Sequence, residues 1–205
     1  MYADIVRVAR RNSRTIGKLA AVTFNPPLWA ISCYRLGHFL WGGGVFMVPR
    51  LLSVAGRIIS GVEIAPSAEI GPGLLIVHGS GVIIEADVQI GRGVTLYQGV
   101  GVGRRFSSTR PDGAPTIGND VTIYAGAKVL GPVKIGNRCC IGANAVVTRS
   151  FSDDKTIAGV PARAIGEYIP PATTVADGTL VRVAAGRRQP RTAQAYSSST
   201  TPDTE

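Results

Sequence analysis

Cysteine is scarce in this chain, three in 205 residues, and two of the three are neighbours, Cys139 and Cys140. Such a set cannot build a disulfide framework, so a reducing, cytoplasmic compartment is the simpler expectation. Aromatic residues make up only 6% of the chain and are not interleaved with basic ones. With no helix-turn-helix pattern either, a nucleic-acid partner is not expected, although the net charge is +9. Much of that charge lies at the two ends, where a phosphate-bearing ligand or plain solvation accounts for it. Long apolar runs are missing too. The stretch 28–41 is apolar, but it contains Arg35 and His38 and falls short of the roughly 20 residues a membrane span needs. Gly42-Gly43-Gly44, Pro49 and Arg50 interrupt its continuation. A packed helix is expected there, with peripheral membrane contact through Trp29, Phe39 and Trp41 left open. The first residues carry Asp4, Arg7, Arg10 and Arg11 without an apolar core, so no signal peptide is expected.

Glycine and proline, in contrast, are plentiful, at 26 and 13, and an aliphatic residue returns every six positions. The runs are Ile64, Ile70, Ile76; then Ile84, Ile90, Leu96, Val102; then Ile117, Ile123, Val129, Ile135, Ile141, Val147. Small or aliphatic residues follow four positions later, among them Val88, Val94, Val121, Ala127, Cys139 and Ala145. A period of six fits neither a helix nor an ordinary strand. It fits short extended pieces joined by tight corners, three to a triangular coil, each coil burying its neighbour's aliphatic residues. The fold expected is therefore a parallel β-helix. Cys139 falls on an inward position and Cys140 on an outward one. Three regions result. Residues 1–60 show the three-and-four spacing of helices, with one before Pro26-Pro27, a second over 28–41 and a third over 46–59. The coils occupy 61–166. From about 167 the chain is Pro, Thr, Ser, Arg and Ala without periodicity, too polar to order itself.

Breaks in the repeat are where chemistry is sought, because insertions in a solenoid become loops on one face. The larger break lies between Val102 and Ile117 and carries Arg104, Arg105, Ser107, Ser108, Thr109, Arg110 and Asp112. The smaller lies between Ile76 and Ile84, where the spacing becomes eight and Val77-His78-Gly79-Ser80-Gly81 sits inside. The chain has only two histidines. His38 on its apolar helix reads as structural, whereas His78, beside small residues at a phase shift, is poorly explained as core.

Several segments carry a resemblance: 64–73, His78-Gly79, Leu96-Tyr97-Gln98-Gly99-Val100, Gly126-Ala127-Lys128-Val129-Leu130-Gly131, Ile141-Gly142-Ala143 and Ala158-Gly159-Val160-Pro161-Ala162-Arg163. Together with Tyr34 to Trp41 they resemble, in order and at matching spacing over about residues 1–166, the serine O-acetyltransferase family. The resemblance implies a left-handed parallel β-helix, a homotrimer, and acetyl-CoA as co-substrate in a groove between neighbouring solenoids. It also implies His78 as general base and Glu63, fifteen residues earlier and about one coil below, as the carboxylate that orients it. The chemistry is coherent. A hydroxyl is a weak nucleophile, and a histidine can take its proton as it attacks a thioester, while a carboxylate fixes the tautomer. Matching positions place Ala125, Gly126, Ala143, Gly159 and Pro161 along the pantetheine groove, with Arg163 or Lys128 toward the phosphates. No metal is implied. A solenoid with apolar flat faces offering half a groove would pack three together.

Departures from the family's pattern lie at the acceptor side. Val77 stands where the family has aspartate, Asn12 where its first helix has an acid, and Gly113-Ala114 where it has an Arg-His pair. Leaving each charge of a buried zwitterion unpartnered costs on the order of several kcal/mol. A pocket shaped by Val77, Ala114 and Asp112 is therefore expected to take a neutral sugar or polyol hydroxyl. Authentic serine acetylation using Asp112 and Arg110, and a non-catalytic trimeric scaffold, are the alternatives. The chain begins where the family's longer members are well into their helices, which leaves a hexamer and a sulfhydrylase complex open.

Overall fold

The computed structural model describes residues 1–10, 22–105, 112–168, 173–174 and 180–181. Its first unit, Met1–Tyr168, holds three described helices, α1 (Tyr2–Arg10), α2 (Pro26–Gly42) and α3 (Met47–Ser60), followed by the solenoid. The first coil is β1 (Val62–Ile64), β2 (Glu69–Ile70) and β3 (Leu75–Val77); the second is β4 (Val82–Ile84), β5 (Gln89–Ile90) and β6 (Thr95–Tyr97). The third is β7 (Gly101–Gly103), β8 (Thr116–Ile117) and β9 (Thr122–Ile123); the fourth is β10 (Lys128–Leu130), β11 (Lys134–Ile135) and β12 (Cys140–Ile141). β13 (Val146–Val147) and β14 (Lys155–Ala158) complete a fifth, and β15 (Arg163–Glu167) turns back antiparallel on β14.

Three parallel sheets result, β1-β4-β7-β10-β13, β2-β5-β8-β11 and β3-β6-β9-β12-β14. The six-residue period is the cause. It places Ile76, Leu96, Ile123, Ile141 and Ile157 one above another in the third sheet, each buried. Removing one such side chain from water contributes about 1.5–3 kcal/mol. Ile84 pairs with Val102 and Val129 with Val147, so a regular coil takes 18 residues. The first coil takes 20, from Ile64 to Ile84, and the third 27, from Val102 to Val129. Both breaks read in the sequence are thus expansions at corners. Cys139 is fully buried, and Cys140, outward and half-buried, is a free thiol that burial pushes up in pKa.

The helices dock through polar contacts onto corner carbonyls. Tyr34 Oη donates to Ala68 O at 2.6 Å, and Arg35 donates to the carbonyls of Ile70 and Gly71 and to the carboxylate of Asp4. His38 Nδ1 lies 2.8 Å from Pro66 O, with its ring beside Tyr34, in agreement with a structural role. The helix break expected at Pro26-Pro27 falls just before them, at Phe24 and Asn25, and the two prolines open α2. Asn25 caps it by accepting from the Leu28 N–H at 3.0 Å, and a proline in a first turn forfeits no intrahelical bond. No described helix is long and apolar enough to cross a membrane.

The expectation of apolar flat faces is corrected. Among the described residues of the solenoid the exposed large apolar side chains are Ile83, Val160 and Ile165, whereas the helices expose many more. Outward strand positions include Glu63, Glu69, Gln89, Thr116, Thr122 and Lys134, with Leu75, Ile83, Cys140 and Val146 scattered among them. In the second unit, Ile169–Glu205, β16 (Thr173–Thr174) pairs antiparallel with β17 (Leu180–Val181). The rest of the polar tail lies outside the described residues.

Candidate active site

The first corner expansion builds the site. Val77 pairs with Tyr97, and Gly81 stacks on Gly99, so four steps of chain stand over two on the next coil. The two added residues push His78 out of the stack. It is exposed and takes a left-handed conformation, φ 56°, which costs a non-glycine residue roughly 1–2 kcal/mol. Strain of this kind persists only where the surroundings hold it, and it collects at functional positions. Gly79 is the holding point. A Cβ there would stand 2.5 Å from Val62 Cγ2 and 3.0 Å from Pro27 Cγ. Only glycine lets the corner sit against β1 and the start of α2.

His78 opens onto a cleft of about 540 Å³. The corner forms one wall, and the start of α2 (Asn25 to Pro27) and the end of α3 (Ile59, Ser60) form the other. Val77 belongs to the lining with its side chain 4% exposed. No acidic side chain lines this cleft among the described residues. Asn12, Ser107, Ser108, Thr109 and Arg110 lie outside them.

Glu63, fifteen residues before His78 on the 20-residue first coil, lies directly under Ile83, which follows the histidine corner. It projects outward from β1, directly after the Gly61-Val62 segment that the histidine corner touches through a Gly81 N–H to Gly61 O bond of 3.0 Å. Its carboxylate is engaged by Arg57 of α3, Nη1 to Oε2 3.1 Å. No hydrogen bond joins it to His78 among the described residues. Arg57 was not singled out in the sequence. Its only signal there is a cation six residues before a candidate carboxylate, across a helix–strand junction.

The expected cofactor residues fall along the same edge of the prism, where the third sheet turns into the first. Gly99 donates to Ser80 O at 2.9 Å, Gly126 to Gln98 O at 2.9 Å and Asn144 to Ala125 O at 2.8 Å. Ala125 and Gly126 therefore stand two coils above the His78 corner, Ala143 three, and Gly159 and Pro161 at the end. With strands about 4.8 Å apart, they span roughly 10–20 Å from it. Ala143, Gly159 and Pro161 are exposed and Ala125 is half-buried. Gly126 takes a left-handed backbone, φ 74°, which favours glycine and keeps this corner bare. Arg163 is exposed on β15 at the far end. Lys128 is redirected: its ammonium donates to Gly99 O and braces the edge instead of reaching outward.

Asp112 and Ala114 are not brought to His78 within one chain. They end the second expansion, at the edge where the first sheet turns into the second. There Asp112 lies 3.8 Å from Arg104, whose Nη1 also pairs with Asp87. Glu85 accepts the Arg104 N–H at 2.8 Å, and Ala114 packs against the core.

Residues 114–149 match the family model described as bacterial transferase hexapeptide (six repeats). A serine acetyltransferase of Helicobacter pylori is 40% identical over 164 residues, covering 79% of this chain and 94% of the relative. A solved serine acetyltransferase of Brucella abortus in complex with coenzyme A superposes with a TM-score of 0.74 at 32% identity, covering 81% of this chain and 66% of that one. Another, from Neisseria gonorrhoeae in complex with serine, gives 0.72 at 27% identity and covers 80% and 67%. The chain thus spans about two thirds of the length of these solved chains.

Proposed function

Since the chain belongs to the serine acetyltransferase family, we propose that it transfers acetyl from acetyl-CoA to the hydroxyl of L-serine. The observation that carries this reading is His78, strained and exposed at the foot of an edge of bare corners. His78 takes the hydroxyl proton as the oxygen attacks the thioester carbonyl, and gives it to the sulfur that leaves. Glu63, released from Arg57 or shared with it, orients the ring and stabilises the imidazolium. Ala125, Gly126, Ala143, Gly159 and Pro161 hold the amide-bearing arm by backbone groups, and Arg163 faces its phosphates. The chain acts as a homotrimer, in which the Asp112 and Ala114 corner of one copy closes the His78 cleft of another.

The expectation of a neutral polyol acceptor has no support among the relatives above, which are named for serine. One observation still favours it as a second reading: Val77, buried at the cleft, leaves no carboxylate there for an ammonium. Release of CoA thiol from acetyl-CoA separates the two. L-serine is expected to saturate the enzyme at or below about 1 mM, the usual upper range for a metabolite substrate. If serine fails to saturate while a sugar or nucleotide sugar does, the serine reading falls and the neutral one stands. A scaffold would release no thiol with any acceptor.

A further inference from the structure

We propose that α3 and the loop before it form a docking face for an anionic lipid surface. The helix packs its small side and turns its large apolar side to water. Pro49 and Gly56 are its buried residues, and a Cβ on Gly56 would stand 3.4 Å from Ala30 of α2. Met47, Leu51, Val54 and Ile58, spaced by four, three and four, fall on the opposite side. They are 69%, 65%, 53% and 79% exposed. Val45 and Phe46, also exposed, carry the stripe into the loop. A helix that merely bordered water would be polar on this side, and a contiguous apolar stripe marks an interaction surface.

Charge selects the partner. By helical position, Arg50 and Arg57 border the stripe along one side and both are exposed, Arg57 while also holding Glu63. From Ile5 to Val62 the chain holds eight cations and no carboxylate. The flanking acids are already engaged, Asp4 by Arg35 and Glu63 by Arg57. An apolar stripe beside arginines, with no acid in the segment, complements acidic headgroups above acyl chains. A second copy fits less well. Stripe against stripe would set Arg50 and Arg57 against their own counterparts, on chains that each carry a net +9. At 14 residues the helix lies in the plane of the interface and does not cross it.

The test is cosedimentation of the full chain with vesicles of phosphatidylcholine, with and without phosphatidylglycerol. Binding is expected only with phosphatidylglycerol and should weaken as salt is added. A Leu51→Ser/Ile58→Ser double variant should bind roughly tenfold or more weakly while keeping its thiol-release rate, because two apolar side chains leave the buried contact. Equal binding by the variant and the parent, or no binding to phosphatidylglycerol vesicles, overturns the proposal. So does light scattering that shows the double variant in a smaller assembly than the parent, since the face then belongs to a second copy.

Discussion

At the scale of the residue, His78 trades stability for placement. Its left-handed backbone, φ 56°, is one that glycine adopts freely and histidine does not. His78→Gly is therefore expected to hold or raise the melting temperature while lowering acetyl transfer by about a hundredfold or more, as loss of a general base does. Glu63→Gln is expected to cost less, because the base remains and only its orientation degrades. Thermal unfolding and thiol release on the same preparations check both. A His78→Gly enzyme with undiminished turnover would remove the histidine from the mechanism. The position was legible in the sequence because an eight-residue gap interrupts a six-residue count at the one histidine outside the helices. The grip of Arg57 on Glu63 was not, since it depends on where the end of α3 meets β1, which no spacing encodes.

At the scale of the element, the solenoid declares itself and its attachment to the helices does not. Thirteen aliphatic positions in phase dictate which side chain stacks on which, and the register follows them, as with Ile70 on Ile90 on Ile117 on Ile135. Helix ends were legible to within a residue or two where glycines mark them, as Gly42-Gly43-Gly44 do for α2. The clamp between α1, α2 and the second corner of the coils joins residues far apart in sequence, which local pattern cannot reveal. Asp4, fully buried, accepts from Arg35 and from the Leu74 N–H at 2.8 Å, and Arg7 donates to Val94 O at 2.9 Å. Burial pushes the Asp4 carboxyl up, but the hydrogen bond and charge of Arg35, with the Met1 ammonium, outweigh it and hold the pKa below the ordinary 3.8. A depressed carboxylate lends stability that is full above its unfolded value and is lost as pH falls through the folded one. Denaturant midpoints for the parent should therefore drop below pH 3.8 more steeply than those of Asp4→Ala. At neutral pH the variant should already be weaker by about 3 kcal/mol, the lower end for a broken buried pair. Parallel pH curves for the two proteins would show that the clamp carries no such stability.

At the scale of the whole molecule, the prism separates residues that the proposed reaction would bring together. His78 and the bare corners occupy the edge between the third and first sheets, while Asp112 and Ala114 occupy the edge between the first and second. The width of a face lies between them, about 15–20 Å for a strand with its corners. On the proposed reading one chain therefore carries two half-sites on two edges and cannot join them without bending a stack whose core is buried from end to end. The proposed threefold assembly would resolve this by heterologous contact, the second edge of each copy meeting the first edge of the next so that three identical sites close in a ring. This division, and not an apolar solenoid face, is what favours three copies, since outward apolar side chains are few among the described residues of the coils. Light scattering is expected to give three times the chain mass at micromolar concentration. Specific activity should fall on dilution at the same concentration at which that mass is lost, because separated edges leave the His78 cleft without the corner that closes it. A monomer that turns over acetyl-CoA and serine at the undiluted rate would show that one edge suffices, and would place the acceptor wholly between the His78 corner and the helices.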